Sequence, residues 1–362
     1  MRDMREYIRT KNIKEGDILA KTLYDDKMRI ILREGNKVTK RLMNIISSLG
    51  YKGIYIDNTA EQRREDIPIA EPLVDDMITF HIIGLLSELI KRADTMSDIN
   101  DNVFANYRKL IEEQIEEIVD KMTELERQQE LLYETEDNRI KSKWIQYHSL
   151  NTCIIATGIA IKLGLNKQQV YNVAVGAMYH DIGKILLDLG LINKENLTDS
   201  ERAEIRKHPE KAFRILQRLN YPVETTYAVW FHHEHCDGTG YPNGVTAEKI
   251  PLSAKIVALA SAYDNMINFN PYNDKPMYQI DALNMLSADS RFDTSCVNAL
   301  LHFVTPYPVG SKVELSNGKE ALVLKNVPGL MERPYIIIGK EMISLSRDQR
   351  FMSVTITKLI EQ

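Results

Sequence analysis

Histidine and aspartate side chains recur through the middle of the chain in a pattern that could bind metal ions. They are His148, His180, Asp181, His208, His232, His233 and Asp264. Imidazole and carboxylate ligands without thiolates suit first-row ions such as manganese, iron or zinc. An aspartate next to a histidine can bridge two ions, while the remaining residues complete each ion from one side. The pattern therefore predicts a site for two metal ions.

Two ions about 3.5–4 Å apart can deprotonate a shared water and hold the phosphoryl oxygens of an in-line displacement. One positioned acid or base contributes about 10²–10⁴ in rate. Hydrolysis of an unactivated phosphodiester needs an acceleration near the upper end of the roughly 10⁶–10¹⁷ range of enzymes. Metal ions would therefore supply most of this rate acceleration. Lys184 follows His180 by four residues, so on a continuous helix it would lie on the same face, near the reacting phosphate. A solvated surface lysine is the alternative.

The second histidine pair opens a segment in which a helix should end in a tight loop. The apolar run 227–231 precedes His232-His233-Glu234-His235-Cys236-Asp237-Gly238-Thr239-Gly240-Tyr241-Pro242. Gly238 and Gly240 permit backbone angles that other residues resist, and Pro242 fixes the exit from the loop. Glu234 could orient a histidine, or it could be a surface residue at the helix end.

The order of these segments closely resembles the HD-GYP subgroup of the HD-domain phosphohydrolases, over roughly residues 142–301. The block from His232 to Pro242, which reads HHExxDGxGYP, is its most specific part. The resemblance implies a helical metal site that hydrolyses cyclic di-GMP to linear pGpG and/or GMP by a metal-bridging hydroxide. It also implies two divalent ions per chain, with iron or manganese favoured.

The resemblance further implies a role for each matching residue. Asp181 would bridge the ions, and Lys184 would contact the phosphate or act as an acid, so these two are the expected catalytic residues. The implied metal ligands are His148, His180, Asp181, His208, His232, His233 and Asp264. The expected substrate contacts are Lys184, Gly240, Tyr241, Pro242 and Lys275.

At two positions the sequence departs from the family pattern, and one of these departures suggests alternative functions. Trp144 stands where some members have a glutamate for a third ion, which favours two ions here. Asn270 stands where an arginine usually holds a ligand phosphate, and losing that contact would cost about 1.5–3 kcal/mol. A weak enzyme, an inactive sensor, or an enzyme for mixed GMP–AMP dinucleotide is therefore an alternative. Another HD-type enzyme, such as a nucleotidase, is a further one, which the Asp-Gly-Thr-Gly-Tyr-Pro loop disfavours.

The catalytic segment is predicted to lie in a mainly α-helical protein of several parts. The expected boundaries are a small α+β region over 1–66, helices over 67–140, the catalytic domain over 141–305 and a β-rich extension over 306–362. Strands are expected at 17–20, 28–32, 53–56, 312–315, 320–324, 335–339 and 353–357, and a helix at 40–49. The Ser316-Asn317-Gly318 segment predicts a hairpin turn.

One predicted helix carries an apolar seam at heptad spacing. Its members are Ile111, Ile115, Ile118, Met122, Leu125 and Leu132, with the polar Gln129 also in the series. The seam predicts either packing on the helix's own domain or a homodimer through residues 103–135.

Composition excludes several other classes of protein. The 362 residues are 27% charged and 44% hydrophobic, with a net charge of −5. Neither DNA nor a basic membrane-surface role is expected at this charge. No run approaches the length of a membrane span, and the N-terminus lacks the apolar core of a signal peptide. Three cysteines without a CxxC pair indicate reduced thiols. We therefore expect a cytoplasmic protein.

Overall fold

Short strands and one helix form the N-terminal part of the chain. The computed structural model describes residues 5–25, 29–51, 53–57, 73–74, 76–94, 101–134, 143–187, 189–194, 196–272 and 276–361. The N-terminal strands are β1 (Arg5–Arg9), β2 (Ile18–Leu19), β3 (Leu23–Tyr24), β4 (Ile30–Leu32) and β5 (Gly53–Asp57). They form an antiparallel sheet in the order β1-β5-β2 and a separate β3-β4 pair. The sequence did not predict β1 and β3.

Helix α1 (Lys40–Ser48) covers this sheet, and the residues at its ends explain its length. Thr39 Oγ1 accepts a hydrogen bond from the Leu42 amide at the start of the helix. Gly50, with φ +79°, turns the chain after its end, where glycine adopts the left-handed conformation without a steric penalty. The buried face of α1, centred on Ile46, packs with Leu19 and Ile54. The predicted helix is thus present.

Helices make up the middle of the chain and share one hydrophobic core. They are α2 (Asp76–Asp94), α3 (Asp101–Arg127), α4 (Trp144–Lys162), α5 (Lys167–Tyr179), α6 (Leu189–Ile192), α7 (Asp199–Ile205), α8 (His208–Arg218), α9 (Val223–Phe231), α10 (Leu252–Ile267), α11 (Gln279–Ser287) and α12 (Thr294–Leu301). Helices α4 and α10 are apolar on nearly every side, which is typical of helices buried in a core. The core extends from Ile78 to Val304, so α2 and α3 pack with the later helices. Within the described part of the chain, no helix has the length and hydropathy of a membrane span.

The apolar seam of α3 packs within the chain. Ile111, Ile115, Ile118 and Met122 are fully buried in the helical core. The helix ends at Arg127, and Gln129 takes a positive φ of 59°, so the series does not continue as one helix to Leu132. Of the two interpretations of the seam, packing on its own domain is the one that the structure shows.

The C-terminal part is a five-stranded antiparallel sheet with a core of its own. Its strands are β6 (Lys312–Leu315), β7 (Glu320–Lys325), β8 (Tyr335–Ile338), β9 (Glu341–Ser344) and β10 (Ile356–Glu361), in the order β10-β6-β7-β8-β9. Alternate residues such as Val313, Val323 and Ile343 face the core. The predicted hairpin joins β6 and β7, with Gly318 at φ +78°. The sequence missed β9 and placed the last strand three residues too early. The protein is mainly α, as predicted.

Candidate metal centre

Helices α4, α5, α8, α9 and α10 bring the predicted ligands to one place. His180 and Asp181 follow the last residue of α5, and His208 begins α8. His232 and His233 follow the last residue of α9. His148 and Asp264 project from the interiors of α4 and α10. All are buried except His233, which is partly exposed.

Asp181 lies between two groups of possible metal ligands. Among the described residues, one group joins Asp181 with His208, His232 and His233, and the other joins Asp181 with His148 and His180; within each, the ligand atoms lie within 4.8 Å of one another. The two oxygens of Asp181 divide between the groups. Oδ1 is 3.1 Å from His208 Nε2, and Oδ2 is 3.6 Å from His180 Nε2. This arrangement suits a carboxylate that bridges two cations.

The hydrogen bonds of the histidine rings orient their free nitrogens toward one another. The Nδ1 atoms of His180, His208 and His232 donate to the carbonyls of Ala177, Ile205 and Val229, at 2.7, 2.8 and 2.6 Å. A carbonyl only accepts, so each Nδ1 carries the proton and each Nε2 of a neutral ring presents a lone pair. His208 Nε2 and His232 Nε2 nevertheless lie 3.2 Å apart. Facing lone pairs repel, and a divalent cation bound by both nitrogens removes that repulsion.

His148 and Asp264 form a buried pair at the edge of the second group. His148 Nε2 lies 3.1 Å from His180 Nε2, and His148 Nδ1 lies 2.6 Å from Asp264 Oδ2. The other Asp264 oxygen accepts hydrogen bonds from Asn151 and Asn268. In this geometry the Asp264 carboxylate orients His148, an interaction that raises the basicity of a metal-ligating imidazole. Asp264 is thus next to the centre, although it lies outside both groups of ligand atoms.

Burial keeps four histidines of the centre neutral. It lowers the pKa of His180 to about 3 and lowers the pKa values of His208, His232 and His233. Burial alone would raise the pKa of Asp181, but Lys184 and the histidines together hold it well below its usual range. Neutral imidazoles and an ionised carboxylate are the protonation states that bind metal ions.

Lys184 contacts Asp181 through a turn tighter than the one expected. Helix α5 ends at Tyr179, and residues Ile182–Leu186 form a 3-10 helix. Lys184 is therefore aligned with Asp181, three residues before it, and the expected alignment with His180 on a continuous helix was wrong. Its Nζ donates to Asp181 Oδ2 at 2.6 Å and is largely buried, which excludes the solvated alternative.

The 3-10 turn requires a glycine because a helix of the site packs directly against it. A Cβ on Gly183 would lie 2.0 Å from the His208 carbonyl oxygen and 2.8 Å from the Ala212 amide. No side chain fits at these distances from backbone atoms. Gly183 thus sets the separation between the His180-Asp181 segment and His208, a role that the sequence alone did not reveal.

Glu234 holds the loop of residues 237–246, here called the signature loop, next to the centre. Its buried carboxylate accepts hydrogen bonds from the amides of Asn243 at 2.6 Å and Val245 at 3.1 Å. Neither alternative stated for Glu234 was right, since it contacts the loop backbone. A Cβ on Gly240 would lie 2.4–2.5 Å from backbone atoms of Glu234 and His235 and from the carbonyl of His233, so only glycine fits there.

Tyr241 holds the loop against His233 at the edge of the centre. Its ring stacks on His233, with centroids 4.6 Å apart and an interplanar angle of 19°. Its amide donates to the His233 carbonyl at 3.0 Å. Pro242 follows and is exposed at the surface. The loop thus places an aromatic ring beside the exposed side of the ligand cluster.

Three further positions were singled out in the sequence: Trp144, Asn270 and Lys275. Trp144 is buried, and its Nε1 donates to Asn193 Oδ1 at 2.9 Å. Asn270 is also buried, and its side chain bonds to the Asn265 carbonyl and the Tyr272 amide. It therefore stabilises its own turn. Lys275 lies outside the described residues.

Comparison with known proteins identifies the family to which this chain belongs. The model of the HD domain family matches residues 111–296, more than half of the chain. The chain is 30% identical over 190 residues to the cyclic di-GMP phosphodiesterase PA4108 of Pseudomonas aeruginosa, and 37% identical over 154 residues to the cyclic di-GMP phosphodiesterase response regulator RpfG of Xanthomonas campestris. These matches cover 52% and 41% of this chain but only 46% and 40% of the relatives.

Among solved structures, Bd1817, an HDG"Y"P protein from Bdellovibrio bacteriovorus, is 18% identical, with a TM-score of 0.49; the match covers 82% of this chain and 98% of that one. The family match spans the ligand cluster and most of the helical core. The chain belongs to the HD domain family and, by its HHExxDGxGYP block, to the HD-GYP subgroup.

Proposed function

We propose that this chain is a metal-dependent phosphodiesterase that hydrolyses cyclic di-GMP to linear pGpG and/or GMP. The observation that carries the proposal is the position of Asp181, whose two oxygens face two different groups of histidines. That arrangement fits a pair of divalent ions, and paired ions recur in enzymes that cleave phosphodiesters, such as nucleases. The similarity to cyclic di-GMP phosphodiesterases of two bacteria supports the substrate class.

The proposed ligands are the residues predicted from the sequence. They are His148, His180, Asp181, His208, His232, His233 and Asp264. When bound, the ions would supply an activated water and neutralise charge on the phosphate. Iron and manganese both suit this donor set, and two ions per chain are expected because the buried Trp144 offers no ligand for a third.

The chain's own residues would position the substrate. Lys184 holds a positive charge within 2.6 Å of Asp181, where it can neutralise a phosphate oxygen or donate a proton to the leaving oxygen. Tyr241 stacks on the partly exposed His233, and we propose that Gly240, Tyr241 and Pro242 contact the substrate on this side of the centre. We propose that the nucleotide enters from this side, and that Lys275 contributes a further positive charge.

The test compares the wild-type chain with Asp181→Asn and with Asp120→Asn, whose exposed side chain pairs with Lys167. Each protein is purified without oxygen and loaded with Fe(II) or Mn(II). Metal content is measured, and the products of cyclic di-GMP are separated by chromatography. We expect about two ions per wild-type chain, with product from the wild type and Asp120→Asn. Asp181→Asn should lose metal and turnover together. Intact cyclic di-GMP in the presence of two bound ions would overturn the proposed reaction.

Mixed GMP–AMP dinucleotide is the second candidate substrate. Asn270 is hydrogen-bonded within its own turn and does not replace the phosphate contact that an arginine provides. The same assay with this dinucleotide measures the preference as a ratio of kcat/KM values. An inactive sensor is disfavoured because six of the seven predicted ligands fall into the two groups of ligand atoms and Asp264 lies beside them.

A homodimer through residues 103–135 stays a prediction. The seam of α3 is buried in its own core, so such a dimer would have to use the exposed side of the helix. Sedimentation at micromolar concentration would measure it. We also propose a cytoplasmic location, which suits the free thiols of Cys153, Cys236 and Cys296.

A further inference from the structure

An arginine lies beside the exposed side of the metal centre. Arg206 is exposed at the end of α7, and its guanidinium carbon lies 5.2 Å from the centre of the Tyr241 ring. Tyr241 itself stacks on His233. Within the described part of the chain, no carboxylate forms an ion pair with Arg206. The centre therefore has a positively charged group at its entrance whose donors are available to a ligand.

The same turn fixes both Arg206 and a predicted ligand. The Ile205 carbonyl, immediately before Arg206, accepts from His208 Nδ1 at 2.8 Å. The Arg206 amide bonds back to the Arg202 carbonyl at 3.0 Å. The backbone of Arg206 is therefore held in a fixed relation to His208, and its side chain rests over Tyr241. A cation held in this way loses less conformational entropy on binding a phosphate than a free surface arginine does.

Three neighbouring lysines are already engaged by carboxylates. Lys184 donates to Asp181 at 2.6 Å, and Lys207 and Lys211 both pair with Glu204. Arg206 differs from these lysines because its guanidinium lies over the face of the Tyr241 ring and pairs with no carboxylate of the described residues. A guanidinium in this position keeps the donor geometry that matches two oxygens of a phosphate.

A cyclic dinucleotide carries two phosphodiesters, and only one can occupy the ligand cluster. The second must then lie outside it, on the side that is open. We infer that Arg206 binds this second, non-reacting phosphodiester, a role that Asn270 does not fill. The inference rests on the proposed function, since it assumes a substrate with two phosphates.

The test uses two substrates that differ in the second phosphate. Cyclic di-GMP has two phosphodiesters, and bis(p-nitrophenyl) phosphate has only the reacting one. KM and kcat are measured on both for the metal-loaded wild type, Arg206→Gln, Arg206→Lys and Arg202→Gln. Arg202 is the matched control because it is exposed on the same helix, one turn earlier. Metal content is measured for every variant.

Arg206→Gln should raise KM for cyclic di-GMP by about 10- to 100-fold, the factor that corresponds to one hydrogen bond to a charged group. Its kcat should stay within about threefold of the wild type. KM for bis(p-nitrophenyl) phosphate should not change, Arg206→Lys should be intermediate, and Arg202→Gln should match the wild type. Equal KM values for cyclic di-GMP in the wild type and Arg206→Gln, or equal losses on both substrates, would overturn the inference.

Failure of the proposed function gives a different result. If the wild type binds cyclic di-GMP without cleaving it, the proposed reaction fails, and calorimetric Kd values of the same variants decide the role of Arg206. If the wild type cleaves bis(p-nitrophenyl) phosphate but neither binds nor cleaves a cyclic dinucleotide, both the substrate class and the inference are wrong.

Discussion

Replacing Glu234 by glutamine tests whether one buried carboxylate fastens the signature loop. The carboxylate accepts the Asn243 amide at Oε1 and the Val245 amide at Oε2. Glutamine keeps the shape of the side chain but offers one oxygen, so an amide group of the side chain would face one of the backbone amides. The variant therefore loses one charge-assisted hydrogen bond and gains a donor–donor contact.

The expected cost follows from these contacts. A hydrogen bond to a charged group contributes about 1.5–3 kcal/mol, and the opposed donors place the loss in the upper part of that range, at about 2–3 kcal/mol. At 1.36 kcal/mol per factor of ten, the loop should open about 30- to 150-fold more often. The loss is local, because the helices of the centre keep their own packing.

Hydrogen exchange read by mass spectrometry measures this opening on the peptide that contains Asn243 and Val245. Glu248→Gln is the matched control, since Glu248 is exposed on the same loop and accepts from Thr246 Oγ1. We expect faster exchange in Glu234→Gln and less than a threefold change in Glu248→Gln. Equal exchange in the two variants would show that Glu234 does not hold the loop.

Acid should destabilise the metal-free protein, because burial lowers the pKa of His180 to about 3 while an unfolded histidine titrates near 6.5. Below about pH 6.5 the unfolded state binds more protons than the folded state. The free energy of unfolding should therefore fall by up to about 1.4 kcal/mol per pH unit for each histidine that stays neutral in the folded state. Urea melts in the presence of a chelator measure this fall, and curves that coincide at pH 7.5 and 5.5 would contradict the prediction. Gly183→Ala should destabilise the chain by about 1–3 kcal/mol and reduce metal content, because α8 must move. Its control, Gly84→Ala, meets nothing within 4 Å and should stabilise α2 slightly, so equal melts for the two variants would refute the packing argument.

Four of the proposed metal ligands were predictable because they belong to recognisable local segments, whereas His148 and His208 were singled out only by their positions along the chain. His180-Asp181 directly follows an apolar helical run, and His232-His233 opens a block whose residue types are specific. The helices themselves were predictable where apolar residues fill a whole stretch, as in α4 and α10. The bridging position of Asp181 was predicted, but the distances were not, so the histidines that face each of its two oxygens were identified only in the structure.

The sequence analysis missed residues whose roles depend on contacts between distant segments of the chain. Gly183 shows no local sign that the His208 backbone lies against it, and Arg206 is an ordinary helix-end residue until Tyr241 is placed beneath it. Lys184 was predicted at the site but on the wrong turn, because hydrophobic pattern does not distinguish a continuing α-helix from a 3-10 turn. Residues that belong to recognisable motifs were found, whereas residues whose role depends on a contact with a distant segment were not.

The ends of helices explain why the proposed ligands lie where they do. Ala177, Ile205 and Val229, whose carbonyls accept from histidines proposed as ligands, lie in the last turns of α5, α7 and α9. Carbonyls in a last turn have no partner within the helix, so an imidazole Nδ1 satisfies each one and in doing so fixes its Nε2 toward the centre. These carbonyls also carry the negative end of the helix dipole, which favours a cation nearby. Each hydrogen bond from Nδ1 to a carbonyl therefore has two effects. It satisfies a helix carbonyl that has no partner within the helix, and it holds the imidazole ring in the tautomer that can bind a metal ion.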